Sequence, residues 1–249
     1  MKTNQFLEAM WSGKVVNITE NRQALHPALR GSRDSFFPKD IMNEVSKQKK
    51  QMLKIAEGVR NGNIKSHSGK KYTSVLAIGI GGSDLGPRMS VKALTPFKSN
   101  IDVRFVSNID PSDLINVTAD LDPSKTLIIV SSKTFTTVET LANAKAAFNW
   151  LAKNQQYAIT SNFDNAKKFG FDATKILLFS EWVGGRTSIW SSVGLPLAIS
   201  IGEKLFKEFL LGGHSVDKHM KNEMTNSIPS LMAVLGYIHR NQLGAGSHC

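Results

Sequence analysis

Cysteine is almost absent from this 249-residue chain, since the single one, Cys249, is the last residue. No internal disulfide and no cysteine zinc site are therefore available. The six histidines supply no pair at i, i+4 accompanied by a carboxylate, so no metal is expected. Long hydrophobic runs are missing as well. Residues 75–80 and 193–201 are the longest apolar stretches, and both are well short of a bilayer span. The opening Met1-Lys2-Thr3-Asn4-Gln5 leads into no signal-peptide core, and the expectation is a cytoplasmic protein with no membrane association. Acidic residues are outnumbered, 20 against 31 basic ones, and no internal repeat or low-complexity segment occurs.

What is present is a globular composition, with 41% hydrophobic and 20% charged residues. The length allows one α/β domain with appendages or two small domains. A formal charge of +11 suits nucleic acid, an anionic membrane surface or an anionic small substrate, and charge alone does not choose among them. The one lysine cluster, Lys47, Lys49, Lys50 and Lys54, has no interleaved aromatics for base stacking and reads as a solvated helix face. Nucleic acid is accordingly not expected as a partner.

The stretch with most chemical character is Leu127-Ile128-Ile129-Val130-Ser131-Ser132-Lys133-Thr134-Phe135-Thr136-Thr137-Val138-Glu139-Thr140. Four branched apolar residues form a buried strand, and the hydroxyl-rich run after them leads into a helix start. Thr136 and Glu139 have the spacing of a capping box. Hydroxyls and a lysine at a helix N-terminus suit a phosphate monoester, because that end offers free N–H groups and partial positive charge. The competing reading is an ordinary polar strand-to-helix turn.

Taken in order, residues 1–60 carry helix formers punctuated by Gly13, Pro27, Gly31 and Pro38, a helical N-terminal arm. Within it, residues 21–30 are dense in hydrogen-bonding side chains. An α/β domain is expected over 61–203, with strands at 75–78, 103–106, 127–130, 158–160 and 176–179 alternating with helical segments. That alternation predicts a parallel sheet flanked by helices, with right-handed crossovers and ligands at the carboxyl ends of the strands. Asp110 is a candidate N-cap, and Leu141, Ala144, Phe148 and Leu151 form one apolar stripe. Two turns at the sheet edge add to the hydroxyl-rich one. Gly79-Ile80-Gly81-Gly82-Ser83-Asp84-Leu85-Gly86-Pro87 permits close backbone approach but lacks dinucleotide spacing, and tight turns use glycine with or without a ligand. Trp182-Val183-Gly184-Gly185-Arg186-Thr187 presents a guanidinium suited to an oxyanion or to a structural salt bridge. Residues 204–249 are helical again, and Leu231, Val234, Leu235 and Ile238 form a stripe that needs something to pack on.

These three turns, with the Thr19-Glu20-Asn21-Arg22 to Arg30 run, resemble the glucose-6-phosphate isomerase family. The resemblance implies a sugar-isomerase, Rossmann-like α/β sandwich that interconverts glucose 6-phosphate and fructose 6-phosphate without metal or organic cofactor. It implies that Ser132, Lys133, Thr134 and Thr137 bind the phosphate, Lys133 through its backbone N–H, that Gly82 and Ser83 line the sugar site, and that Arg186 stabilises the enediolate-like intermediate. Family members are homodimers with shared active sites. Their proton-moving glutamate, ring-opening histidine and a late lysine come from a second half of the polypeptide, so this chain is expected to be an N-terminal half, inactive alone. Neither Glu139, which fits a cap, nor Glu181, which precedes its turn, replaces that base. Thr187 stands where many relatives carry an aromatic. A non-catalytic sugar-phosphate-binding module is the alternative.

Overall fold

A computed structural model describes residues 3–31, 36–151 and 155–247; Cys249 lies outside them. The chain opens with α1 (Thr3–Trp11), a short antiparallel hairpin of β1 (Val15–Asn17) and β2 (Arg22–Gln23), α2 (His26–Arg30) and the long α3 (Lys39–Asn61). The hairpin departs from the all-helical arm expected here. Its strands are two or three residues long, too short for a period-2 pattern, and Asn21 closes the connection at φ 51°. Along α3, Lys47, Lys50 and Lys54 are exposed as expected, whereas Lys49 is half-buried. Its pKa falls to about 8 through desolvation and the charge of Lys207.

Five strands follow: β3 (Ser74–Ile78), β4 (Asp102–Val106), β5 (Thr126–Ser131), β6 (Gln156–Thr160) and β7 (Ile176–Leu178). Between them run α4 (Leu85–Ala93), α5 (Pro111–Thr118), α6 (Val138–Trp150) and α7 (Phe163–Phe169). All pairings are parallel, in the order β4-β3-β5-β6-β7. Burial on both faces explains the continuous apolar runs. Val75, Leu127, Ile129, Ile159 and Leu177 face a core shared with α3 and the later helix α8 (Leu195–Glu223). Their neighbours Leu76, Ile78, Ile128, Val130, Ala158 and Ile176 face the opposite core with α5, α6 and α7. Within the expected stripe on α6, Ala144 is buried and Leu141, Phe148 and Leu151 pack on the second core. Asp110 caps α5 as its sequence suggests, accepting the Ser112 N–H at 2.9 Å.

Helix α8 starts earlier than the helical segment expected from position 204. Residues 195–202 are buried throughout, so their apolar run carries no amphipathic signature, and Gly202 breaks the helix at φ 84°, ψ 165°. At the break, Arg60 donates to the Ile199 and Ser200 carbonyls at 2.7 and 3.1 Å, and Glu57 accepts the Glu203 N–H at 2.9 Å. Those bonds replace the ones that the break removes. The last helix, α9 (Ile228–Asn241), has no buried residue.

Strand order fixes where a ligand can sit. From β3 the chain steps outward to β4 and then returns to β5 on the other side of β3. The loops leaving β3 and β5 therefore diverge and open a crevice at their carboxyl ends.

Candidate functional site

Three turns meet at that edge. After β3, residues Gly81–Ser83 form a 3-10 turn; after β7, Gly185–Trp190 forms another. Their backbones touch: a Cβ on Gly82 would lie 2.5 Å from the Gly185 Cα and 2.6 Å from its carbonyl carbon and oxygen. The buried Ser188 hydroxyl lies between the two turns, 2.9 Å from the Gly82 carbonyl and 2.8 Å from that of Gly185. Gly82 and Ser83 are thus held against the turn that carries Arg186, whose side chain is exposed.

The third turn follows β5. Phe135 adopts φ 54°, a left-handed conformation costing a side-chain-bearing residue about 1–2 kcal/mol. Its ring is 3% exposed and meets Phe169 and Phe171 edge-on at 5.7 and 5.6 Å, so core packing holds the strained turn. With Phe135 turned inward, Thr134 and Thr136 emerge on the surface, their hydroxyls 2.7 Å apart. Ser132 Oγ accepts the Phe135 N–H at 3.2 Å and lies 3.3 Å from Thr137 Oγ1. The Lys133 carbonyl accepts from the Ser161 N–H, Ser161 Oγ and Thr160 Oγ1 at 2.8–3.0 Å. A trans peptide aims its N–H opposite its C=O, so the Thr134 N–H points away from Ser161. The expected capping box does not form. Helix α6 takes Thr137 as N-cap, which makes no side-chain capping bond, while Thr136 is occupied with Thr134. The first-turn N–H groups of α6 are left for another acceptor.

Beside the cradle lies a cleft of about 460 Å3, walled on one side by the N-terminal hairpin and lined by Arg22, His26, Lys133, Trp182, Gly185 and Arg186 among others. Lys133 Nζ donates to the Val183 carbonyl at 2.9 Å, tying the cradle to the arginine turn. Its pKa is lowered, first by desolvation and then by the charge of Arg22, with Glu20 and Glu181 opposing. The arm is anchored behind the cleft. Arg30 forms a buried, two-pronged pair with Asp217 of α8 (Nε to Oδ2 2.8 Å), and its guanidinium lies 3.9 Å from the centre of the Trp190 ring.

His26 stacks on Trp190 with ring centres 6.4 Å apart. Burial, reinforced by Arg30 and opposed by Asp217, lowers its pKa from 6.5 to about 4. The unfolded chain therefore binds a proton in that window that the folded chain refuses. Stability is intact above about pH 6.5 and falls as pH drops toward 4, by at most about 3 kcal/mol for this group. Urea melts across pH 4–7 should show this slope, and His26→Asn should remove most of it. An unchanged slope in His26→Asn would mean that His26 does not cause it.

All seven residues singled out in the sequence sit at this edge: Gly82 and Ser83 on the first turn, Ser132, Lys133, Thr134 and Thr137 on the cradle, and Arg186 on the third. Sequence reasoning passed over Arg22 and His26. Their signals were the density of polar side chains in residues 21–30 and the resemblance that this run shares, neither of which assigns them a role, and nothing local revealed that the hairpin folds back onto a turn 159 residues away, where Arg22 donates to the Glu181 carbonyl at 3.4 Å. Among the described residues no cluster of His, Cys, Asp and Glu could hold a metal ion, and no helix is long and apolar enough to cross a membrane.

The family model for phosphoglucose isomerase matches residues 1–249. A glucose-6-phosphate isomerase of Rhizobium leguminosarum bv. trifolii (strain WSM2304) is 44% identical over 248 residues, covering 95% of this chain and 46% of that protein. That of Methylococcus capsulatus is 41% identical, covering 97% and 47%. The crystal structure of a glucose-6-phosphate isomerase from Chlamydia trachomatis D/UW-3/Cx superposes with a TM-score of 0.81 at 28% identity, over 98% of this chain and 48% of that one. A hypothetical protein from Thermus thermophilus shares the fold at a TM-score of 0.61 and 23% identity, over 95% of this chain and 57% of that one. The chain spans about half the length of the curated relatives it matches. With a family match along its whole sequence, this chain belongs to the phosphoglucose isomerase family.

Proposed function

We propose that this chain is the N-terminal half of a glucose-6-phosphate isomerase and supplies the anchor and the oxyanion clamp of its active site. The observation that carries this reading is the backbone contact between Gly82 and Gly185, which sets the arginine turn beside the sugar-facing turn at the mouth of the cradle. The phosphate of a hexose 6-phosphate sits at the start of α6, taking the Ser132, Thr134 and Thr137 hydroxyls and the Lys133 backbone N–H. The Lys133 ammonium, tied to Val183, serves the framework. Gly82 and Ser83 face the sugar. Moving a proton between C1 and C2 puts negative charge on the flanking oxygens, and Arg186 stabilises that enediolate. An α-hydroxy C–H is too weak an acid to ionise unaided, so a general base is needed, and we assign it to the polypeptide of the other half. The complete protein is a cytoplasmic homodimer with no role for nucleic acid or membrane.

Calorimetry on the purified chain should show saturable binding of fructose 6-phosphate and none of fructose, with negligible turnover in a coupled assay. Equal affinity for the two sugars would overturn the cradle assignment, and family-like rates would overturn the division of labour. Thr134→Val and Thr137→Val should each weaken fructose 6-phosphate binding about tenfold or more, because each removes a hydrogen bond to a charged group. An unchanged affinity in both would place the phosphate elsewhere.

A further inference from the structure

The cleft beside the cradle takes in His26, at the start of α2; a separate recess of about 550 Å3 takes in Gly31, just past its end. Lys39, Met42, Asn43, Val45, Ser46 and Lys49 complete the recess, and none of them borders the cleft. Their separations of three, four and seven set them along one side of α3. Among the described residues, none that lines the recess is acidic.

The positive charge there is held against its own preference. Lys49 is half-buried, and its pKa of about 8 reflects desolvation first and the charge of Lys207 second, with no carboxylate opposing them. His214 of α8 lies close enough to feel Lys49. Its imidazole is 5% exposed, and among the described residues neither ring nitrogen has a hydrogen-bond partner. Burial lowers its pKa most, then Lys218, with Arg30 and Lys49 adding smaller effects against Asp217. Two carboxylates of α8 are already engaged, Asp217 by Arg30 and Glu203 by Lys207. An ammonium drawn out of water with no counter-charge is costly, and a hollow walled by one sign of charge concentrates ions of the other sign.

We infer that this recess is a second anion site, which takes a small organic phosphate. Lys39 and Lys49 meet the phosphate as point charges, Asn43 and Ser46 donate to its oxygens, and Met42 and Val45 lie beside the organic body. A volume of this size leaves room for that body as well as the phosphate. The inference is independent of what the cradle binds.

The test is acetylation of the 249-residue chain at about pH 8, mapped lysine by lysine by mass spectrometry, with phenyl phosphate or inorganic phosphate as the probe. Phenyl phosphate at about ten times its dissociation constant should slow acetylation of Lys49 about tenfold, leaving Lys47 and Lys54 unaffected. Inorganic phosphate should protect only at higher concentration. With Lys49 as the reporter, Ser46→Ala should raise the concentration of phenyl phosphate needed about tenfold, and Lys39→Met about threefold. Both positions are exposed, so neither variant should change the melting temperature. Thr134→Val should leave the protection intact. Lys49 acetylation that ignores both anions overturns the inference, as does protection that survives both Ser46→Ala and Lys39→Met. Protection lost in Thr134→Val overturns it by assigning the effect to the cradle. Equal protection by the two probes overturns the organic part of the ligand.

Discussion

Gly82→Ala is expected to abolish fructose 6-phosphate binding, with a loss of at least about a hundredfold, while the sheet still forms. The new methyl group would meet the Cα and the carbonyl of Gly185 at distances no carbon occupies, and both obstacles are backbone. The turns must separate, and inserting even one carbon into a packed contact costs about 1–3 kcal/mol. The damage falls on the shared opening rather than on either core, because Gly82 and Gly185 meet outside the packing between strands and helices. Titration calorimetry paired with a thermal melt separates the two effects. A variant that binds normally would show that the contact between the turns does not shape the site.

The largest expected loss of stability belongs to Asp217→Asn. Arg30 and Asp217 are each 7% exposed, and the pair joins the N-terminal arm to α8 across 187 positions of sequence. Neutralising the carboxylate leaves a buried guanidinium without a counter-charge, at a cost of about 3–5 kcal/mol. That is a large fraction of the stability of an ordinary domain. The ion pair itself need not be worth so much, since the attraction repays a desolvation cost of similar size. Arg30→Met with Asp217→Leu should therefore recover much of what the single variant loses. Urea denaturation with an unchanged m-value measures both. A loss below about 1 kcal/mol in Asp217→Asn would mean that water already reaches the pair.

The sheet was legible because its strands are buried on both faces. Runs such as Leu127-Ile128-Ile129-Val130 need no alternation to be recognised, and the turn chemistry between them marked where each ended. Asp110 was legible as a cap because its effect reaches only two residues along the chain. The features that escaped depend on distant partners. The β1–β2 hairpin meets the turn at Glu181 only across the fold, through Arg22, and the first turns of α8 are hidden by an unbroken apolar run. The Thr136–Glu139 spacing misled because Phe135, pulled inward by Phe169 and Phe171, rotates the turn and gives the cap position to Thr137. The seven candidate residues could be named one by one from their turns, but the closeness of those turns to Arg22 and His26 could not, since spacing along one strand–turn–helix unit carries no information about another unit folded across it.

The left-handed Phe135 gives the cradle a second address in the sequence. Phe169 and Phe171 lie far along the chain from the cradle and look like ordinary interior residues, yet the backbone path of residues 132–137 depends on the aromatic pocket they make. Variation there, which would pass for neutral exchange of one large apolar side chain for another, should surface as altered affinity for an anion those residues never touch. For anyone comparing natural variants of this chain, changes at positions 169 and 171 belong with changes at the threonines.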